Sequence, residues 1–398
     1  MDYSILADTY KELESTSSKL KKTEILAEVL SKTSTELLPK LVLLFQGRVF
    51  PSYSQYELGI ANQMMIRAIV KATGFTTDAI EQKFKKTGDL GLTAEECIKS
   101  KRQATLARKK LTVDFVFDNL KKIPTMTGEG SQERKLNLIA ELIVSAHPNE
   151  AKYIVRTILQ DLRVGTAEGI IRDAVVSAFL LKKDTTKGEK EKITDEVDYA
   201  WNIVSDFGEV AKIAKRKGVE GLKKIKLELG KPIQVMLGEK AESIEDVVKE
   251  FGKVIAEYKY DGARIQVHKK NNDVWLYTRR LENITEQFPD IKKLCKERLS
   301  AKECIVEGEA LSINPRTGSP LPFQILSQRI HRKYDIEKME KEIPVQVNLF
   351  DVIYLNGKTL FDRPLIERRK ILEKIVKPLP KKFQLAKQIV SGDVKELD

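Results

Sequence analysis

The spacing of apolar residues changes once along this chain of 398 residues, and that change limits the possible folds more than any other feature. Up to about Lys217 apolar residues recur at helical spacing, for example at positions 60, 64, 68 and 69. After Pro232 short apolar strands alternate with short helices. The chain is therefore predicted to be multidomain, with an all-α domain at residues 1–217, a linker at 218–230, and a domain that mixes strands and helices at 231–398.

The charge balance points to a polyanionic partner. The formal net charge is +12 and the isoelectric point is about 9.2, which favours nucleic acid. The three cysteines, at positions 97, 295 and 304, form no C-x-x-C pair, so neither a zinc ribbon nor a disulfide framework is indicated. Because the sequence shows no signal peptide and no apolar stretch long enough to cross a bilayer, a cytoplasmic protein is expected.

Several local patterns mark the helical domain. Thr93 and Glu96 have capping-box spacing and predict a helix start there. The charge-mixed run at 182–192 is interpreted as a solvated loop. Residues 125–131 and 163–169 are loops with small residues that suit phosphate contact, although ordinary turns between helices explain them equally well.

The strongest candidate for chemistry is the stretch from Glu257 to Arg264, because it holds Lys259 in the order K-Y-D-G-A-R. A nucleophilic lysine needs its pKa lowered by burial or by a nearby cation. Residues 254–256 predict a buried strand before it, and Arg264 supplies a cation after it. Gly262 would let a ligand approach the backbone. The alternative is an ordinary surface hairpin in a lysine-rich protein.

A hairpin follows the lysine. Strands at 264–269 and 274–279 flank a turn at 271–273. Counting outward from the turn places Arg264 opposite Arg279 at the far end of the hairpin, beside Lys259. One amine and two guanidinium groups together suit phosphate binding.

Two later strands carry further candidates. Alternation along 304–311 puts Glu307 and Glu309 on one face, where a divalent metal or a ribose hydroxyl would be a suitable partner, unless this is an edge strand facing solvent. The nearly continuous apolar run 345–355 predicts a strand buried on both faces, followed by a turn at Asn356 and Gly357. By its pattern alone Phe350 is assigned to the core.

The ordered motifs resemble those of the covalent nucleotidyltransferases. Residues 259–264 look like motif I, T-R-R-L-E-N at 278–283 like motif Ia, E-G-E at 307–309 like motif III, and L-F-D-V at 349–352 like motif IIIa. Their order and spacing resemble the ATP-dependent DNA ligases, and the helical part resembles the DNA-binding domain of the archaeal and eukaryotic replicative type. The resemblance implies an all-α DNA-binding domain followed by an α+β nucleotidyltransferase (adenylation) domain with antiparallel sheets.

The resemblance also implies roles for individual residues. Lys259 would attack the α-phosphate of ATP and hold AMP as a phosphoramidate. Glu257 would bind the adenine amino group, and Phe350 would stack on the base, which contradicts its assignment to the core. Arg264 and Arg279 would contact ribose and phosphates, and Glu309 would serve the ribose or a Mg²⁺ ion. AMP would then pass to the 5′-phosphate of a nick in duplex DNA, and the 3′-hydroxyl would displace it.

After motif IIIa, the remaining residues 353–398 contain neither motif IV (E-G-x-M-x-K) nor motif V (K-x-K) of this family, and no OB-fold domain follows within the 398 residues. The adenylation domain is therefore expected to be incomplete at its C-terminus, with little or no sealing activity.

Other interpretations remain open at this stage. An RNA ligase or mRNA capping enzyme shares the lysine motif, but the large helical domain before it argues against both. An NAD-dependent ligase would carry a four-cysteine zinc site. A non-catalytic module that binds DNA and a sliding clamp is the alternative from a different class. Gln103 and Leu106 fit the first half of a clamp-binding peptide, but Lys109 and Lys110 replace its aromatic pair. A monomer is expected.

Overall fold

The computed structural model describes residues 1–100, 110–332 and 334–398. Within these ranges the chain forms two compact units, Met1–Ile225 and Lys226–Asp398. The break between them falls inside the predicted linker. None of the helices in the described residues is long and apolar enough to cross a membrane.

The described part of unit 1 contains helices joined by loops, and no strand in that part is longer than an isolated bridge. Its helices are α1 (Tyr3–Glu14), α2 (Lys19–Lys32), α3 (Leu38–Phe45), α4 (Asn62–Thr73), α5 (Thr77–Thr87), α6 (Leu90–Lys99), α7 (Val113–Lys122), α8 (Ser131–Ser145), α9 (Pro148–Ile158), α10 (Glu168–Phe179), α11 (Lys187–Val204) and α12 (Phe207–Leu222).

Three predicted boundaries in unit 1 are wrong. Helix α6 begins at Leu90, because Asp89 caps it by accepting hydrogen bonds from two backbone N–H groups, and Thr93 lies buried inside the helix. Helix α11 begins at Lys187, inside the predicted loop, where Thr186 and Glu189 form a capping box. Helix α12 runs past residue 217, through a kink at Gly218.

Unit 2 mixes helices and strands. They are α13 (Ile244–Phe251), β1 (Val254–Glu257), β2 (Ala263–Lys270), β3 (Asp273–Thr278), α14 (Pro289–Arg298), β4 (Glu303–Ser312), α15 (Phe323–Ile330), α16 (Ile336–Glu342), β5 (Val345–Leu355), β6 (Lys358–Thr359), α17 (Leu365–Ile375), β7 (Phe383–Leu385), β8 (Gln388–Ser391) and α18 (Val394–Leu397). The predicted helix after Ser243 is confirmed, with Ser243 as N-cap and Gly252 as C-cap.

The strands of unit 2 form two sheets among the described residues. The larger has the order β3-β2-β4-β5-β6, all antiparallel, and β7 pairs in parallel with the other end of β5. The smaller pairs β1 with β8, with Glu257 opposite Gln388. The hairpin of β2 and β3 has the predicted register, with Ile265 opposite Thr278. The turn at Asn356 and Gly357 is also present, and both residues have positive φ.

One face of the larger sheet packs against helices. Its core includes Ile265 and Val267 of β2, Val306 of β4 and Leu349 of β5, together with apolar residues of α14, α15 and α17. Side chains of alternate parity on β2 therefore project to the opposite face. That opposite face carries the polar residues of the predicted site.

The start of unit 2 is hydrogen-bonded to this polar face. The N–H of Gly230 donates to Nδ1 of His268 at 3.1 Å, and the N–H of Ile233 donates to Oε1 of Gln266 at 2.8 Å. Burial lowers the pKa of His268 to about 3, so the ring is neutral and accepts this bond at neutral pH. The Tyr277 hydroxyl donates to the carbonyl of Gly230 at 2.5 Å.

Strand β5 does not fit the prediction of a strand buried on both faces. Of the six residues that follow Leu349 in this strand, five are only partly buried. The pairing of β5 with β4 is also irregular at two points. At one of them Glu307 lies opposite Asp351 and Gly308 lies opposite Leu349, so Phe350 is an extra residue in a β-bulge. A bulge shifts the alternation by one residue and turns Phe350 out of the core.

Candidate active site

Lys259 lies in the segment that joins the two sheets, after β1 and before β2. The prediction that a buried strand precedes it is wrong, because Val254, Ile255 and Ala256 of β1 are only partly buried. Lys259 is exposed as well. An exposed amine on such a connection is accessible to a nucleotide.

Packing requires a glycine at position 262, whereas the approach of a ligand to this backbone stays a prediction. A Cβ at this position would lie 2.3 Å from the carbonyl oxygen of Ala310 and 2.7 Å from Cδ2 of Leu311. The backbone after Lys259 can therefore lie against β4 only if residue 262 has no side chain. This contact fixes the distance between the lysine segment and the motif E-G-E.

Glu309 is the carboxylate that the fold places in the electrostatic field of Lys259. Burial raises the pKa of Glu309, while the charges of Lys259 and Arg264 and the N–H of Gly262 act in the opposite direction. Across the sheet, Glu309 lies opposite Arg264 on β2 and Asn348 on β5. The role of Glu309 towards a ribose or a metal ion stays a prediction.

Glu307 has a different environment from Glu309. It is buried, forms an ion pair with Arg264, and accepts a hydrogen bond from Nε2 of Gln266 at 3.0 Å. The alternative of two glutamates facing solvent on an edge strand is therefore wrong, since β4 lies between β2 and β5. Glu307 fixes the orientation of Arg264, and Nε of that arginine has no hydrogen-bond partner among the described residues.

Phe350 lies beside the same arginine. The Cζ atom of Arg264 is 5.4 Å from the centre of the Phe350 ring, within range of a cation–π contact. The ring is only partly buried. The core assignment of Phe350 is therefore wrong, and its position agrees with a ring that has a face available to a ligand.

Arg279 lies one residue beyond β3. Extending the register of Ile265 and Thr278 by one step places it opposite Arg264, as the residue count predicted. Its side chain is exposed. The hairpin thus presents two guanidinium groups at the end farthest from its turn.

Glu257 lines a cavity of about 720 Å³, a volume typical of small-molecule sites. Other lining residues are Ala256, Tyr258, Arg369, Glu373, Leu385, Ala386, Lys387, Gln388, Ile389, Glu396, Leu397 and Asp398. Burial raises the pKa of Glu257, Arg369 acts to lower it, and Asp351 raises it further. Lys259, Arg264 and Phe350 are not among the described residues that line this cavity.

The sequence interpretation missed the acid–base pairs next to Glu257. Arg368 donates from Nε and Nη2 to the two carboxylate oxygens of Asp351, at 2.8 and 3.0 Å. Arg369 lies 3.8 Å from Glu257, measured from Nη1 to Oε1. Both arginines belong to α17, and their partners Asp351 and Glu257 lie on other elements of unit 2.

The residues present offer few ligands for a metal. The described residues contain no cluster of three or more His, Cys, Asp or Glu side chains that could hold an ion. Mg²⁺ is usually bound through one or two carboxylates together with substrate phosphates. Glu309 fits such a partial ligand set.

The candidate phosphate-binding loops of unit 1 differ in their contacts. In 163–169, Nζ of Lys22 donates to the carbonyl of Val164, and Gly165 has a left-handed φ of +65°. In 125–131, Arg134 donates to the carbonyls of Thr127 and Glu129, both at 2.8 Å. Both loops are thus held by cationic side chains. The candidate clamp-binding residues Gln103, Leu106 and Lys109 lie outside the described residues, and Lys110 pairs with Asp2 at 2.6 Å.

Comparison with known proteins identifies two families in this chain. Residues 235–398 match the ATP dependent DNA ligase domain, and residues 2–176 match the DNA ligase N terminus. The chain is 43% identical over 397 residues to a DNA ligase of Nanoarchaeum equitans, covering all of this chain and 68% of that protein. It is 42% identical over 399 residues to a DNA ligase of Thermococcus fumicolans, covering all of this chain and 69% of that protein. With a DNA ligase of Methanothermobacter thermautotrophicus it shares 41% identity over 390 residues, covering 98% of this chain and 68% of that protein. The motifs, the site around Lys259 and these relatives agree, and the chain belongs to the ATP-dependent DNA ligases.

Proposed function

We propose that Lys259 is the residue through which this ligase takes AMP from ATP. ATP-dependent DNA ligases seal nicks in duplex DNA, and they use ATP and a divalent metal ion such as Mg²⁺. In the first step Nζ of Lys259 loses a proton and attacks the α-phosphorus of ATP. The bond to the β-phosphate oxygen breaks, and pyrophosphate leaves.

The later steps transfer the same AMP group. An oxygen of the 5′-phosphate at the nick attacks the phosphorus of the lysyl-AMP, and the P–N bond to Lys259 breaks. The 3′-hydroxyl then loses its proton and attacks the 5′-phosphorus, so that the phosphodiester bond forms and AMP leaves. Each step needs close positioning and neutralisation of phosphate charge, which Arg264 and Arg279 would supply.

The observation that supports this assignment best is the juxtaposition around Arg264. On one side Arg264 contacts the Phe350 ring, and on another it pairs with Glu307. Lys259 and Arg264 both act on Glu309. This arrangement can hold a base against an aromatic ring while its phosphates lie near cations and an amine.

Two further roles belong to the same proposal. Glu257 would accept a hydrogen bond from the exocyclic amine of adenine. Glu309 would contact the ribose or, together with phosphate oxygens, a divalent ion, which would withdraw charge from the phosphates. Unit 1 would be the DNA-binding domain and unit 2 the adenylation domain.

The test is covalent labelling with ATP that carries radioactive α-phosphate, followed by mass spectrometry of peptides. We expect one AMP group on the peptide that contains Lys259, which mass spectrometry detects even at low occupancy. Lys259→Ala should abolish the adduct, because no other group can form the phosphoramidate at that position.

Lys253→Ala is the matched control, since it removes an exposed lysine from the same unit. It should label as the unmodified protein does. AMP attached to another residue, or undiminished labelling of Lys259→Ala, would refute the assignment.

We also propose a monomer that works in the cytoplasm with a sliding clamp as partner. The net charge of +12 supports DNA as the substrate. All three cysteines are free and buried, which agrees with a reducing compartment such as the cytoplasm. Deleting residues 101–110 should abolish binding to an immobilised clamp, as measured by surface plasmon resonance. Unchanged clamp affinity would exclude this segment as the contact.

A further inference from the structure

Arg369 is held in place by two contacts that leave one nitrogen free. Its Nε donates to Oε1 of Glu373 at 3.0 Å, one turn along α17, and its Nη2 donates to the carbonyl of Ala386 at 2.9 Å. The side chain is only 8% exposed. Because two of its three nitrogens are fixed, the plane and position of the guanidinium group are fixed as well.

The third nitrogen points at the carboxylate that the proposed function assigns to adenine. Nη1 is buried and has no hydrogen-bond partner within the described residues, and it lies 3.8 Å from Oε1 of Glu257. That separation is too long for a hydrogen bond but close enough for strong electrostatic attraction. A buried donor without a partner is costly, so a small movement of Glu257 towards it would be favourable.

We propose that Arg369 is a positioning residue that holds Glu257 as an ionised, correctly oriented acceptor and thereby determines the preference for ATP over GTP. This inference rests on the proposed role of Glu257. At the sixth ring position adenine carries an amino group, which donates, and guanine carries a carbonyl, which accepts. An ionised carboxylate can only accept, so it favours adenine and repels guanine.

The partial burial of Glu257 explains why Arg369 matters for the preference between ATP and GTP. The Glu257 side chain is 30% exposed, and burial raises its pKa while Arg369 lowers it. Without the arginine, the pKa of Glu257 would be higher, which favours the protonated form. A protonated carboxyl can donate to the guanine carbonyl and no longer repels it.

Other charged groups near Glu257 also affect its pKa. Asp351 on β5 raises the pKa of Glu257, and Arg368 neutralises Asp351 through two hydrogen bonds. The remaining charged groups that line the cavity are Glu373, Lys387, Glu396 and Asp398. Among the causes of the shift, only Arg369 favours the ionised form of Glu257.

The experiment measures binding of α,β-methylene ATP and α,β-methylene GTP to the whole chain across pH. These analogues cannot lose pyrophosphate, so the result does not depend on Lys259. For Arg369→Gln we expect roughly tenfold weaker binding of the ATP analogue at neutral pH, the size of one lost interaction with a charged group. The ATP-to-GTP preference should fall, and the pH below which ATP binding is lost should rise.

Two further variants separate positioning from a structural role. In a Glu257→Gln background the effect of Arg369→Gln should largely disappear, because a neutral amide has no charge to hold. Arg369→Lys keeps the charge and should retain most of the preference for the ATP analogue. If Arg369→Gln unfolds, Arg369→Lys is the variant in which the nucleotide preference is measured. Arg363→Gln, on an exposed residue paired with Glu367, is the matched control.

The inference is wrong if Arg369→Gln binds both analogues as the unmodified protein does. It is also wrong if Arg369→Gln weakens binding equally with and without Glu257, or if the pH midpoint does not move. Failure of AMP labelling at Lys259 would instead refute the proposed function, so the two failures are distinguishable.

Discussion

At the residue scale, Phe350 shows how a local irregularity decides a functional role. A phenylalanine within an apolar run of eleven residues is expected in the core. The bulge opposite Glu307 and Gly308 shifts the alternation, so that Leu349 and Val352 are buried and Phe350 lies between them on the polar face. No signal in the run itself marks the extra residue, because bulges depend on pairing with the neighbouring strand.

Phe350→Ala should weaken binding of α,β-methylene ATP by roughly tenfold, since stacking of a base on an aromatic ring contributes about 1–3 kcal/mol. Isothermal titration calorimetry measures this loss. Phe350→Tyr keeps the ring and should bind nearly as well.

The control for the loss of a ring is Phe323→Ala, which removes a phenylalanine that is 37% exposed at the start of α15. Equal losses of affinity in Phe350→Ala and Phe323→Ala would argue against stacking, and the melting temperatures of both variants show whether either has lost its fold.

At the scale of elements, a buried cluster joins three helices of unit 1. Asp89 caps α6 by accepting from the N–H of Gly91 at 2.7 Å, and its other oxygen accepts from Nη2 of Arg156 on α9 at 2.6 Å. Arg156 also donates to Glu14 at the end of α1, at 3.2 Å. Asp89 and Arg156 are 3% and 4% exposed, so each depends on the other for compensation of its charge.

The pKa of Asp89 determines how this cluster responds to acid. Burial alone would raise that pKa, but the hydrogen bonds and charge of Arg156 and the backbone N–H groups of Leu92 and Gly91 lower it below its ordinary value. A carboxyl whose pKa is lowered on folding stabilises the fold above its unfolded pKa of about 4. The stabilisation is lost as the pH falls from there through the folded pKa.

Asp89→Asn should lower the free energy of opening of α6 by about 3 kcal/mol at neutral pH, because Arg156 loses a buried partner. Hydrogen exchange of the α6 amides measures this change. As the pH falls below about 4, the variant should lose less further stability than the unmodified protein.

Asp78→Asn is the matched control, an exposed carboxylate in the first turn of α5. A similar loss of α6 protection in this control, or an Asp89→Asn variant as stable as the unmodified protein, would contradict the role of the cluster.

At the scale of the whole molecule, the sequence predicted the order of the architecture. The change from helical to strand spacing near residue 217–232 matches the change from unit 1 to unit 2 at 225 and 226. The hairpin count placed Arg264 and Arg279 correctly, because a short turn determines the register of an antiparallel pair. The predicted faces of β4 are also correct, since Glu307 and Glu309 lie opposite the side that packs Val306 and Ala310 into the core.

By itself the sequence determined the features that depend on residues close together in the chain. These are the two units, the hairpin, the strand with two glutamates and the family motifs. Only the tertiary structure decided the environment of each group. It exposed Lys259, paired Glu307 with Arg264, turned Phe350 out of the core and brought Arg369 to Glu257, 112 residues away in the chain. The physical reason is that periodicity and turn geometry are local, whereas burial and electrostatic pairing depend on which distant segments pack together.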